Sequence, residues 1–271
     1  LKAEIMCTTS DARSQNGFLK SLPQADFDAL RLHLRTVELA QGRVLQAFGK
    51  PTEQIYFPYD SVLARVLELD AGDSLAVAMI GRGSILGALA VTLNPPVRSG
   101  AVVIYPGAAS TIEIDRLRQA AERSPSLHRI LSRHGQSVLA QAQLAVSCKA
   151  SHAVEARLAR WLLEVQDMSG SERFTLTQDT MAQMIGARFN SVSIMVNSLE
   201  QDNYISCCRD EIKITDRDGL ASTACKCYWA IKEQHDSLMR HVEASLTGDQ
   251  MEVGVPSTGG TGAARLKFKS S

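Results

Sequence analysis

The side chains best suited to recognition chemistry lie between Thr177 and Lys213. On a helix advancing 100° per residue, Val192, Met195, Val196 and Leu199 share one apolar face. Asn190, Ile194, Asn197 and Gln201 fall opposite, with Ser191 and Ser193 at the flanks of that outer face. Asn or Gln amides bind adenine edges bidentately, Ser hydroxyls are adaptable, and Ile can meet a thymine methyl. Arg188, just ahead of this helix, and Thr177 and Gln178, at the start of the preceding one, are placed to fix phosphates. Arg209 and Lys213 complete the candidate DNA-contact set. Charge opposes this reading: from Thr177 to Ile214 there are three basic residues against five acidic ones, a net of −2. Affinity for a polyanion depends on phosphate neutralisation. Residues 116–160 hold eight basic and two acidic residues, so any binding is expected to be intrinsically modest and raised by dimerisation.

The elements that must position these residues are legible. Thr177 caps a short helix with Asp179 near its positive end and Met181, Ala182 and Ile185 buried. Gly186 interrupts it, and a second helix runs from about Phe189 to Gln201, a helix-turn-helix pattern. Ile205–Cys208 and Glu211–Ile214, around Arg209-Asp210, form a hairpin that makes the wing of a winged helix. Upstream, Ser124-Pro125 starts a helix whose Leu127, Leu131, His134, Val138, Ala142 and Ala145 keep one face for roughly 35 Å. So long an amphipathic helix is expected to pack against its own copy. Another helix follows Ser151 and ends near Gly170, with Val154, Leu158, Trp161, Leu162 and Val165 on one stripe.

Before these helices, short alternating runs (Val37, Leu39; Ile55, Phe57; Val62, Ala64, Val66; Leu75, Val77, Met79; Val102, Ile104) are separated by turn signals. They predict a small antiparallel sandwich or barrel, preceded by a helical lead-in over 17–35. The expected fold class is therefore α+β: an N-terminal antiparallel β-barrel or jelly roll, a long connecting dimerisation helix and a C-terminal winged helix-turn-helix. The boundaries are a sensor barrel over 16–123, the dimerisation helix over 124–150, the winged module over 151–246 and a disordered tail over 247–271.

Composition narrows the function classes. The chain has 271 residues, 29 basic and 29 acidic, so its overall charge argues neither for nor against a polyanionic partner. Apolar stretches such as Ile85–Val91 fall far short of the roughly 18 residues a spanning helix needs, and no signal-peptide core is evident. No membrane partner is expected. Adjacent Cys207 and Cys208, and Cys225 and Cys227 one residue apart, suit neither a staple nor a zinc clip. Neither a metal site nor a cofactor is expected, and a reducing cytoplasm is the expected location. No nucleophile elbow, Walker loop, dinucleotide fingerprint or His-Glu-x-x-His pair occurs, so no catalytic residue and no enzyme is expected.

The order barrel, long helix, helix-turn-helix, wing resembles the Crp/Fnr family of bacterial transcription regulators. Asn16-Gly17-Phe18-Leu19 with Leu22-Pro23, Tyr56-Phe57-Pro58 and Val77 through Arg82 are among the echoes, as are Glu155 through Leu162 and Leu176-Thr177-Gln178 through Gly186. The resemblance implies a sequence-specific DNA-binding homodimer joined through 124–150, with RNA polymerase a further partner. Cyclic-AMP-responsive members carry Gly-Glu-Leu and, ten residues after the Glu, an Arg-Ser pair. Here Gly87-Ala88-Leu89 lacks the carboxylate, while Arg98-Ser99 keeps the phosphate-holding pair, so cyclic-AMP dependence is not expected and the effector is unassigned. With Cys7 alone near the N-terminus, the cysteine cluster of oxygen-sensing members is absent, and His134 is expected as a packing residue on the helix seam. Many relatives place Arg-Glu-Thr-Val where this chain has Phe189-Asn190-Ser191-Val192, so their operator does not transfer. The alternative reading is a sensor or interaction module whose winged helix no longer binds DNA. Cys208, outward on the wing, offers a redox-sensitive contact.

Overall fold

The computed structural model describes residues 9–68, 74–93, 99–209, 211–234 and 237. The described residues open with three short helices, α1 (Thr9–Gln15), α2 (Gly17–Lys20) and α3 (Gln24–Arg31). Buried Asn16 anchors them. Its Oδ1 accepts from Leu19 N–H at 3.1 Å, capping α2, while Nδ2 donates to the Pro58 and Ser84 carbonyls at 2.8 and 3.0 Å. The helical lead-in thus ends at Arg31 rather than 35, because the chain is already extended at Arg35.

Seven strands follow: β1 (Arg35–Leu39), β2 (Val44–Gln46), β3 (Gln54–Pro58), β4 (Val62–Glu68), β5 (Ser74–Ile80), β6 (Ser99–Tyr105) and β7 (Gly107–Glu113). Helix α4 (Ala88–Leu93) lies between β5 and β6. The strands form two antiparallel sheets, β1-β7-β3 and β2-β6-β4-β5. Leu39, Tyr56, Leu63, Ile80, Val103 and Ala109 fill one apolar cluster contributed by both sheets. Val62, Ala64 and Val66, the row that alternation marks as apolar on β4, point the other way. They join Leu158, Trp161, Leu162 and Phe174 in a second core. Residues 62–66 are therefore buried throughout, since both faces of that sheet are covered.

Helix α5 (Ile114–Arg123) leads into α6 (Pro125–Ser151). Ser124 caps α6 by accepting from Leu127 N–H at 3.2 Å, and Pro125 starts it as expected. Of the expected seam face, Leu127 and Leu131 pack into the core with α2, α3 and α5, and His134 is buried edge-on against Phe18 with ring centroids 4.8 Å apart. Val138 is buried too, and Ala142 and Ala145 are half-buried. That face serves the protomer's own core, so His134 is not on an open seam. The outward stripe is instead Gln136, Leu139, Gln143 and Val146, with Leu139 56% and Val146 67% exposed.

The C-terminal part comprises α7 (Val154–Ser169), β8 (Arg173–Thr175), α8 (Gln178–Ile185), α9 (Phe189–Gln201), β9 (Ile205–Cys208), β10 (Glu211–Ile214) and α10 (Arg217–Thr223), with 227–234 helical again. Left-handed Gly170 ends α7 as expected. The hairpin gains a third strand, giving the order β8-β10-β9. This part packs on the first through the shared core, the edge-on Tyr105–Phe174 pair and the Gln41 side-chain amide donating to the Thr175 carbonyl at 2.7 Å. Among the described residues, no helix is long and apolar enough to cross a membrane. Arg98, Cys7 and the 247–271 tail lie outside the described residues.

Candidate nucleic-acid interface

Helices α8 and α9 are joined by a turn that the sequence dictates. Thr177 Oγ1 accepts from Thr180 N–H at 3.1 Å to start α8, and Gly186 ends it at φ +64°. A side chain at Gly186 would be strained in that left-handed conformation, and its Cβ would lie 2.7 Å from Leu75 Cδ1. Val192, Val196 and Leu199 are buried and Met195 is half-buried against the same core, which fixes the rotation of α9. Asn190, Ile194, Asn197 and Gln201 are consequently exposed in one row, Ile194 at 61%.

The flanking serines part company. Ser191 is half-buried, whereas the Ser193 hydroxyl donates to Gln178 Oε1 and ties α9 to the start of α8. Ser193 is thereby a positioning residue, and the Gln178 amide nitrogen is the end left to donate outward. Arg188 is exposed at the N-terminus of α9, whose first turn holds no acid. Arg209 is exposed at φ +57° on the wing turn, and half-buried Lys213 lies across from Ser206 and Arg173. Phe189, half exposed at the first position of α9, was not singled out by the sequence. An apolar residue at a helix start carries no periodicity signal.

The acidic surplus is partly consumed internally. Glu200 Oε1 accepts from Cys207 N–H at 2.8 Å, and Glu211 pairs with Arg173 at 3.2 Å. Cys207 faces the core, and burial, followed by the Glu200 carboxylate, pushes its thiol up to about 11. Cys208 is the exposed cysteine of the wing, as alternation predicts.

Of the two positions expected to hold an effector, Ser99 is described, and it is engaged from within. Ala88 is buried among core residues, and Ser99 accepts a hydrogen bond from the buried Arg65 guanidinium. Burial lowers the pKa of Arg65.

Among the described residues, one group of side chains could hold a metal: Cys148, His152, Cys225 and Cys227. The sequence argued against it, because the spacing of Cys225 and Cys227 shows only half of the group. The other half stands at the end of α6, 77 residues away.

Residues 156–223 match the Crp-like helix-turn-helix domain family. Over 214 residues the chain is 28% identical to the HTH-type transcriptional regulator Cmr of Mycobacterium tuberculosis, covering 75% of this chain and 82% of that one. Over 177 residues it is 23% identical to the global nitrogen regulator of Synechocystis, covering 61% of this chain and 78% of the relative. The solved structure of FixK2 from Bradyrhizobium japonicum has the same fold, with a TM-score of 0.61 and 16% identity over 71% of this chain and 98% of that one. Residues 156–223 thus carry a Crp-like helix-turn-helix domain, and in its regulator relatives and two-part fold the chain is similar to the Crp/Fnr transcriptional regulators.

Proposed function

We propose that the chain is a cytoplasmic homodimeric regulator that reads double-stranded DNA through α9 and acts without cyclic AMP. The observation that carries this reading is the exposed row Asn190, Ile194, Asn197 and Gln201, held outward by the buried Val192, Val196 and Leu199. Amides at Asn190 and Asn197 suit adenine edges, and Ile194 suits a thymine methyl between them. Arg188, Thr177, Gln178, Arg209 and Lys213 would hold the phosphates on either side of the row, with Ser191 at its edge. The commitment of Glu200 and Glu211 to internal partners favours this reading over a winged helix that has lost DNA binding.

In this reading residues 124–150 form the seam between protomers, with 16–123 as sensor and 151–246 as reader; RNA polymerase is the further partner. The exposed Leu139 and Val146 support the seam. Cyclic-AMP independence is supported by Ala88, since a carboxylate in its place would have to enter an apolar core. The effector, if it uses Ser99, must compete with Arg65.

Selection from a random duplex pool with the full chain tests the proposal. It should recover a two-fold symmetric site carrying A·T pairs in each half, without added nucleotide. A pool that shows no enrichment, or enrichment that requires cyclic AMP, would contradict it.

A further inference from the structure

We propose that Cys148, His152, Cys225 and Cys227 form a tetrahedral site for a single zinc ion that fastens the end of the long helix α6 to the segment following α10.

The fold brings two pairs of ligands together. Cys148 and His152 are four residues apart, where α6 ends at Ser151, so they share a face of its last turn. The His152 N–H donates to the Cys148 carbonyl at 3.0 Å, which holds that turn closed. Cys225 and Cys227 follow α10, and the Cys225 N–H donates to the Ala156 carbonyl of α7 at 3.2 Å. The backbone, rather than the side chains alone, therefore sets the position of both pairs.

The distances fit one ion. Cys148 and Cys225 Sγ are 3.5 Å apart, Cys227 Sγ and His152 Nδ1 are 3.7 Å apart, and all four ligand atoms lie within 4.8 Å of one another. With Zn–S near 2.3 Å and Zn–N near 2.0–2.1 Å, the edges of a regular tetrahedron are about 3.5–3.8 Å. A disulfide would need the sulfurs at about 2.05 Å and would leave Cys227 and His152 unused. A polynuclear iron–sulfur cluster would need its irons and sulfides between the ligands, and this envelope has no such room. Three cysteines and one histidine are a soft set of the kind that closed structural zinc sites use.

Charge is also provided for. Binding is a ligand exchange without redox: three thiols release three protons to solvent, neutral His152 contributes a lone pair, and the ion keeps its two positive charges. The filled site carries one net negative charge. The Arg160 guanidinium acts electrostatically on both Cys148 and Cys225, and its buried Nε has no hydrogen-bond partner among the described residues. Arg160 is also held by Glu164 at 2.6 Å, which fixes it beside the cluster. The consequence is mechanical. The site straddles the junction of α6 and α7 at His152-Ala153, so the ion would set the angle between the long helix and the reader.

The full chain, purified without a metal-binding tag and under reducing conditions, should contain one zinc per protomer by elemental mass spectrometry. Cobalt added to the chelated, reduced chain should give the intense ligand-field bands of tetrahedral coordination together with thiolate-to-cobalt charge transfer. Cys225→Ser and His152→Ala should lose the zinc, while Cys208→Ser should retain it. Three results would each overturn the site: stoichiometric iron accompanied by inorganic sulfide; a Cys148–Cys225 disulfide with no metal in the native chain; or failure of the reduced, folded chain to give the tetrahedral cobalt spectrum. The cobalt spectrum is read on the unaltered sequence, so it tests the site even where a variant fails to fold.

Discussion

Asn190, Ile194, Asn197 and Gln201 stand on the open side of α9, and their separate roles can be distinguished by what each substitution removes. Asn190→Ala should cost about 1–3 kcal/mol on the selected duplex and relax preference at one base pair per half-site, leaving the salt dependence unchanged. Arg188→Ala should weaken all duplexes alike and lower the salt slope by about 1 per contact, since it removes a phosphate partner. Competition titrations at several salt concentrations separate the two outcomes. The outward face of α9 was legible because helical periodicity fixes which residues look outward. The inward turn of Ser193 toward Gln178 was not legible, since a hydrogen bond across 15 positions leaves no trace in the spacing. Nor were Glu200 and Glu211 separable from free acids until their partners, the Cys207 N–H and Arg173, came into view.

At the scale of elements, the turn between α8 and α9 and the entry at Asn16 do the positioning. Gly186→Ala should destabilise the chain by roughly 1–3 kcal/mol, through the left-handed backbone alone, with the Leu75 contact adding to it. Asn16→Ala strands Leu19 N–H and the Pro58 and Ser84 carbonyls, at roughly 1–3 kcal/mol for a buried group left without a partner. Both losses are measurable by denaturant titration of the full chain. The long helices and the five longer apolar runs were visible in the sequence because their periods persist. The short strands β2 and β8 were not, as three residues cannot establish a period. β7 (Gly107–Glu113) was hidden by its small and polar residues, Gly107, Ala108, Ala109, Ser110 and Thr111, which form strand by pairing with both β1 and β3.

For the whole molecule, the question is what covers the stripe Gln136, Leu139, Gln143 and Val146 on α6. The long helix itself was legible, but the face that the sequence assigned to a seam is not its exposed one. Its most apolar face, with Leu127, Leu131 and His134, goes to the protomer's own core, which competes for the same residues. Leu139→Asp should therefore weaken self-association about a hundredfold or more, because each dimer loses two buried leucines. Sedimentation equilibrium reads this directly, and an unchanged dimer would move the seam elsewhere. In the proposed dimer, avidity across that stripe would offset the sparse positive charge of each winged module. The most direct measurement is a salt series of binding by the full chain to its selected duplex and to a single half-site, with Asn190→Ala alongside. Log affinity should fall linearly with log salt, the half-site should bind at least about a hundredfold more weakly, and the variant should lose discrimination. Equal affinity for site, half-site and unrelated duplex, unchanged in Asn190→Ala, would contradict a dimeric reader of DNA.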